Sequence, residues 1–129
     1  MPFDWREFLI VAHGLRNDPS EGAQRTCLGR AYYYVYNLGL AKARSLTFKE
    51  DLPNLHRKLW DWYQKQTDPT IRQMGVEGLR MHALRIEADY KNTVPNLAGA
   101  VRLQLGRAQT FEGLVAQSNG QAPPAALAP

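Results

Sequence analysis

The sequence predicts an all-α protein, a five-helix antiparallel up-down bundle over residues 1–118 with a disordered Ala/Pro-rich tail at 119–129. Three observations carry that reading. Apolar residues recur at helical spacing, and no stretch alternates as a half-buried strand would. Capping residues, prolines and breakers punctuate the chain at regular intervals. One stretch, Cys27 to Leu40, is apolar or aromatic almost all round, which suits a helix at the centre of a bundle. With 129 residues and 44% hydrophobic content, the chain is sized for one domain around one core.

The first helix is expected from Asp4, its cap, to Leu15, with Phe8, Leu9, Ala12 and Leu15 on one face. Asn17-Asp18-Pro19 breaks it. Ser20 caps a second helix that runs to about Leu46, with Glu21 favourable in the first turn. Asp51-Leu52-Pro53 opens a third, with Pro53 in its first turn. Leu55, Leu59, Trp62 and Tyr63 pattern this helix; Trp60 and Trp62 point in different directions on it, and core placement is expected, the alternative being one exposed Trp beside Tyr63 as a partner-binding anchor. The fourth helix, from Pro69 to Tyr90, follows the same stop-and-start chemistry at Thr67-Asp68-Pro69. Met74, Leu79, Ala83, Ile86 and Tyr90 are expected to form its apolar side. Thr93 then caps a fifth helix with Pro95 just inside, ending near Ser118. The short connections favour antiparallel neighbours. Gly99, Gly106 and Gly113 share a line on the fifth helix, and a close helix–helix approach there, inside the bundle or across a dimer seam, is expected.

Composition sets limits on function. The net charge of +4 permits an anionic partner such as RNA without requiring one. No apolar run approaches the roughly 20 residues of a membrane span. Met1-Pro2-Phe3-Asp4-Trp5 lacks the basic and apolar regions of a signal peptide, so a cytoplasmic location is expected. Cys27, the single cysteine, reads as a buried small hydrophobe. His13, His56 and His82 have no metal-ligand spacing with one another or with Cys27, so no metal or other cofactor is expected.

The second helix carries the most informative polar pattern. Arg30, Asn37 and Arg44 are spaced by seven and form one stripe, bordered by Tyr33, Tyr34 and Ala41. Arginine forks suit phosphate, and tyrosine faces suit base stacking. The alternative is structural, with Arg30 paired to a neighbouring carboxylate and Asn37 a buried hydrogen-bonded amide. Arg85 and Asp89 are four apart and can pair along the fourth helix, and with Arg30 they would tie helix ends together. His56 and Arg57 stand near the start of the third helix, where unpaired amides favour phosphate. His82 reads as structural.

Arg30-Ala31-Tyr32-Tyr33-Tyr34-Val35-Tyr36-Asn37 resembles the R-A-Y-Y-A-x-F-H segment of small bacterial proteins of the HEPN superfamily. Leu55-His56-Arg57 sits where that group has a K-H-S-like segment. Leu84-Arg85-Ile86-Glu87-Ala88-Asp89-Tyr90 resembles its L-R-x-x-A-D-Y ending, and the resemblance spans about residues 5 to 117. It implies a helical bundle that assembles as a homodimer. It also implies either metal-independent RNA cleavage or, where the motif is lost, a binding or assembly role. The family motif is Arg, four to six residues, then His. A histidine moves the proton of the ribose hydroxyl, and an arginine stabilises charge on the phosphate. Here the histidine position holds Asn37, which cannot transfer a proton. A literal match exists at Arg6 and His13, but it lies away from the family-like segments.

Three readings follow. The preferred one is a non-cleaving module of a toxin–antitoxin or defence type system that binds RNA or protein through Arg30, Tyr33, Asn37, Arg44 and Arg57. The second is an active metal-independent endoribonuclease using His56 and Arg30. The third is a structural dimeric scaffold. The resemblance adds a nucleotidyltransferase-like protein as a candidate partner.

Overall fold

The computed structural model describes residues 2–127. Among them are five helices and no strand: α1 (Arg6–Leu15), α2 (Glu21–Ser45), α3 (Leu55–Gln64), α4 (Pro69–Tyr90) and α5 (Leu97–Ser118). α2 touches all four others, α3 packs on α4, and α4 packs on α5. The central place of α2 follows from its sequence. Leu28, Ala31, Tyr32, Tyr34 and Val35 are all buried, and together they point in several directions around the helix. None of the described helices is long and apolar enough to cross a membrane.

Local chemistry fixes two helix starts as expected. Ser20 Oγ accepts from Ala23 N at 3.2 Å. Asp68 Oδ1 accepts from Thr70 N at 2.8 Å, with Pro69 as the first helical residue. Asp4 Oδ1 accepts from Arg6 N at 3.0 Å, so α1 begins just after its acidic entry. Two proline-marked starts lie later than expected. α3 begins at Leu55, after Asn54 in the left-handed region (φ 59°), so Pro53 precedes it. α5 begins at Leu97, after Asn96 at φ 48°, whose Oδ1 accepts from Gly99 N at 3.3 Å; Thr93 and Pro95 precede it. Asparagine tolerates this backbone better than most residues, so the asparagine after each proline becomes the hinge.

The core is organised around Trp60. Its indole is fully buried. A Cβ at Gly78 of α4 would lie 2.4 Å from that ring, and one at Gly39 of α2 would lie 2.9 Å from it. A Cβ at Gly75 would meet Tyr63 Cβ at 2.6 Å. Phe111 of α5 meets Trp60 edge-on at 5.9 Å between centroids, and the Tyr63 hydroxyl donates to Gly39 O at 2.6 Å. Close approach therefore occurs at Gly39, Gly75 and Gly78, not along the expected line on α5. A Cβ at Gly106 or Gly113 would meet nothing within 4 Å, and one at Gly99 would meet only its own cap, Asn96. Trp62 is half-buried against Phe48 and Tyr63.

The same glycines decide which side of α4 faces inward. Ile71, Met74, Gly75, Gly78, Met81 and Ala88 are buried. Of the expected apolar side, Met74 is in the core, but Leu79, Ala83, Ile86 and Tyr90 are exposed.

Polar ties join the helices at sites the sequence patterns did not mark. Arg25 of α2 reaches the end of α4. Its Nη1 donates to Ala88 O (2.8 Å) and Lys91 O (2.7 Å), and its Nη2 to Asn92 O (3.0 Å). It thus satisfies carbonyls that a helix C-terminus leaves open. The tie expected from Arg85, Asp89 and Arg30 has another form. Arg85 Nε is 2.8 Å from Asp89 Oδ2 within α4, although its N–H is not aimed at the carboxylate. Arg30 makes no ion pair among the described residues. Buried Glu112 of α5 accepts from Arg6 Nε (2.8 Å) and from the Tyr34 hydroxyl (2.6 Å). Arg6 Nη2 also donates to Ala125 O at 2.9 Å, and Leu127 packs against the core. The described part of the expected disordered tail is thus irregular but held against the bundle, bordering a cavity of ≈ 230 Å³ beside Tyr34 and Glu112. Residues 128 and 129 of that tail lie outside the described residues.

Two stability measurements check this packing. Gly78→Ala should destabilise by about 1–3 kcal/mol in urea unfolding, through overpacking against Trp60. Gly106→Ala should be neutral or stabilise by up to about 1 kcal/mol. Arg25→Ala should cost about 1.5–3 kcal/mol through its lost carbonyl bonds, against about 0.5 kcal/mol or less for Asp89→Ala.

Candidate functional site

The candidate site is a cluster of aromatic rings and cations where α2, α3 and α4 meet. It begins at Trp60. A buried indole N–H needs an acceptor, and Trp60 Nε1 donates to the Tyr32 hydroxyl at 3.1 Å. Indole nitrogen only donates, so the Tyr32 oxygen accepts and its own hydrogen remains to be placed. His56 Nδ1 lies 2.6 Å away and receives it. This bonding assigns the His56 proton to Nε2.

The His56 ring is held on several sides. Tyr36 stacks on it at 3.9 Å between centroids with a 17° interplanar angle, and His82 lies nearly parallel at 5.3 Å. Tyr33 meets it edge-on at 5.9 Å. His82 also stacks on Tyr32 at 5.2 Å. Burial, His82 and Arg85 push the His56 pKa down to about 4. Burial, then Arg85 and Arg57, lower that of His82. Both rings are therefore neutral at neutral pH. Burial pushes the Tyr32 hydroxyl far above its ordinary range, so it stays protonated and keeps donating.

Two guanidiniums flank Tyr33. That of Arg30 lies 5.2 Å from the Tyr33 centroid and 4.6 Å from Phe8 of α1. That of Arg85 lies 5.0 Å from the Tyr33 centroid and 6.0 Å from Tyr90. Each contact is worth about 0.5–1 kcal/mol at an exposed site. The two like charges sharing one ring gain nothing from each other. Among the described residues, Asp89 beside Arg85 is the one carboxylate paired with either. An anion settling over Tyr33 would be favoured by both.

The other expected site residues fall in different surroundings. Asn37 is half-buried, and its Nδ2 donates to Tyr33 O at 2.8 Å, one turn back on its own helix. Arg44 lies exposed near the end of α2, 3.5 Å from Asp51 Oδ1. The Arg30–Asn37–Arg44 stripe is thus divided: the guanidinium of Arg30 joins the cluster, and Arg44 acts on its edge through its charge near Tyr36. Arg57 is exposed on the first turn of α3, beside His56. Arg6 and His13 lie in one neighbourhood with Arg16 and Glu112: Arg6 donates to Glu112 and Arg16 to the His13 carbonyl, while burial, then Arg16 and Arg6, lower the His13 pKa. Cys27 is fully buried, and burial raises its thiol pKa to about 11, which leaves it unreactive. Among the described residues, no group of His, Cys, Asp and Glu is arranged to hold a metal ion.

Tyr32 and Tyr36 were not singled out by the sequence patterns, and His82 was expected to be structural. The signal was present: Tyr32 and Tyr36 are four apart on α2, and His82 and Arg85 three apart on α4, so each pair shares a face. What was missing was the knowledge that those two faces meet at His56. Comparison of the chain with family models, with curated proteins and with solved structures finds no match.

The depressed histidines give the fold a defined pH response. In the unfolded chain His56 takes up a proton near pH 6.5, whereas in the folded cluster it resists until about 4. Its stabilising contribution is therefore complete above 6.5 and is lost as pH falls toward 4. The lowered pKa of His82 acts with the same sign. Melting temperature should fall across that window, and His56→Gln with His82→Gln should flatten the fall. An unchanged slope in the double variant would locate the acid sensitivity elsewhere.

Proposed function

We propose that the chain is a HEPN-like antiparallel up-down module that binds RNA without cleaving it. The observation that carries the proposal is Tyr33 flanked by the guanidiniums of Arg30 and Arg85, of which Arg30 has no carboxylate partner among the described residues. Guanidinium forks offer phosphate contact, and their planes, held over the ring, offer stacking for bases. His56, Tyr36 and Arg57 extend the same surface. The resemblance of the Arg30–Asn37 and Leu84–Tyr90 segments to HEPN proteins agrees in placing these residues together in function. It is also the sole basis for a toxin–antitoxin or defence setting and for a nucleotidyltransferase-like partner.

Three features argue against cleavage. The position of the motif histidine is Asn37, whose amide is turned back to its own helix. The Nδ1 of His56 is engaged by Tyr32, and the low pKa of His56 makes it a weak base. The Arg30 guanidinium sits over Phe8 and Tyr33 and makes no hydrogen bond to His56.

The ribonuclease reading has one observation in its favour: His56 and His82 lie together beside Arg85, and two imidazoles and a cation are the parts such chemistry uses. One experiment separates the readings. Purified protein is incubated with single-stranded RNA in chelator, and both retention on a filter and chain length are followed. Salt-dependent retention is expected, with the RNA intact. Arg30→Gln and Arg85→Gln should each weaken retention and lower the salt slope by roughly one unit. RNA shortening that disappears in His56→Ala would establish the enzyme instead. An absence of retention at low salt would overturn RNA binding.

A further inference from the structure

We infer that the cavity between α2, α5 and the C-terminal tail is a binding site for a small aliphatic primary amine, its ammonium group donating to Glu112 and its chain lying on the apolar walls. The cavity measures ≈ 230 Å³, and no residue that lines it belongs to the aromatic–cation cluster. The inference therefore stands apart from RNA binding. Glu112 is the wall that carries it. Glutamate is almost never fully buried unless paired, and Glu112 is 5% exposed. Its pairing is one-sided. Arg6 Nε at 2.8 Å and the Tyr34 hydroxyl at 2.6 Å both reach Oε2. Oε1 has no hydrogen-bond partner among the described residues, although an ionised carboxylate accepts on both oxygens. A buried acceptor left without a donor is unfavourable, and here it belongs to a residue bordering a cavity that a donor can enter.

The rest of the lining selects the donor. The Tyr34 hydrogen is committed to Glu112, so the Tyr34 oxygen is left as a second acceptor. Burial pushes the Tyr34 hydroxyl far above its ordinary range, so it keeps that hydrogen. Leu38, Val115, Ala122 and Pro124 supply apolar surface around these oxygens. A carboxylate beside a hydroxyl oxygen, set in apolar walls, matches an ammonium head on a short hydrocarbon body. An anion would be repelled by Glu112, and a neutral alcohol would forgo the stronger, charge-assisted bond. A second cation on a carboxylate already paired is ordinary in this protein. Buried Glu77 has Arg80 3.6 Å from its Oε1 and Arg107 3.9 Å from its Oε2. Lys42, one turn beyond Leu38 on α2, does not fill the place, because its Nζ donates to Asn119 Oδ1 at 2.6 Å. The volume lies below the range of drug-sized pockets, which limits the ligand to a few carbons.

The tail makes the site conditional. Gln121, Ala122 and Pro124 form one of its walls. Gln121 N donates to Ala116 O at 2.8 Å, and Arg6 Nη2 to Ala125 O at 2.9 Å. Arg6 thus holds the carboxylate with one nitrogen and the tail with another. A ligand in the cavity touches both, so amine binding and tail docking favour one another by linkage.

The test is an NMR titration of the isotope-labelled full chain at neutral pH and fixed ionic strength, with n-pentylamine as the probe. The controls are n-pentanol and ammonium chloride. Pentylamine should shift the amides of Glu112, Asn119 and Gln121 saturably. Pentanol, which has the chain alone, and ammonium, which has the charge alone, should each bind about ten-fold more weakly or worse. Glu112→Gln keeps an acceptor for Arg6 and Tyr34 but removes the charge, and should weaken pentylamine about ten-fold or more. Ala122→Phe fills the cavity from the tail, leaves the helices untouched and should abolish binding, so it decides the matter where Glu112→Gln does not fold. Pentanol bound as tightly as pentylamine would make the cavity merely apolar, and ammonium bound as tightly would make Glu112 a bare cation site. Either result overturns the inference. So would the absence of saturable shifts, shifts confined to residues outside the cavity, or pentylamine affinity unchanged in folded Glu112→Gln or in Ala122→Phe.

Discussion

The buried Trp60 indole is the constraint on which the rest of the structure depends. Its volume is accommodated because α2 and α4 each present glycine to the ring, at Gly39 and Gly78, so two helix backbones close on one side chain. Its single polar atom cannot be left unpaired in that interior, where an unsatisfied donor costs about 1–3 kcal/mol. The Tyr32 hydroxyl supplies the acceptor, and having accepted, it donates to His56. Core packing thereby sets the tautomer and orientation of a histidine at the surface. A change at Trp60 would reach His56 through two hydrogen bonds as well as through the packing of α2 and α4 on the ring.

The legible and illegible parts of the fold divide along one line. What depends on a few neighbouring residues could be read directly. Ser20 and Asp68 cap the helices they precede, and the central position of α2 follows from its apolar circumference. What depends on a distant partner could not. The glycines of α5 are regularly spaced but meet no neighbouring helix, whereas Gly39, Gly75 and Gly78 have no regular spacing and lie in the tightest contacts. A glycine has no hydropathy to declare which face it occupies; the ring that needs the room is on another helix. The same blind spot reversed the faces of α4. Leu79, Ile86 and Tyr90 look like core by pattern, while the truly buried side includes two glycines that contribute nothing to that pattern. Pro53 and Pro95 marked breaks correctly, but the left-handed asparagines that follow them moved each helix start downstream.

The candidate site was legible in its members more than in its arrangement. Arg30, Tyr33 and His56 could be named from residue type and from the HEPN-like segments. Helical spacing also placed Arg44 and Asn37 on the line of Arg30, and that line is real as geometry. The structure divides it, because a helix of 25 residues runs past more than one neighbour. Arg44 lies at the edge of the cluster and pairs with Asp51, and Asn37 turns to its own helix. Arg85 and His82 take their places instead, brought in by α4. Arg25 was missed for a related reason: its partners are backbone carbonyls, and no residue type announces those.

The electrostatics of the cluster connect its stability to the proposed ligand. Burial and the neighbouring cations hold His56 and His82 neutral, so the apo cluster concentrates positive charge on Arg30, Arg57 and Arg85 and keeps its imidazoles uncharged. A phosphate entering over Tyr33 would offset the field of Arg85, one of the causes that depress both histidines. The pKa of each ring would rise toward its ordinary value, and by linkage protonation and anion binding would favour one another. The same physics explains why the rings can be stacked at all. Two imidazolium ions at this separation would repel, and only the neutral pair can lie parallel between Tyr36 and Tyr32. The packed cluster is therefore the neutral one, and its stacking contributes to the fold only while both rings stay uncharged.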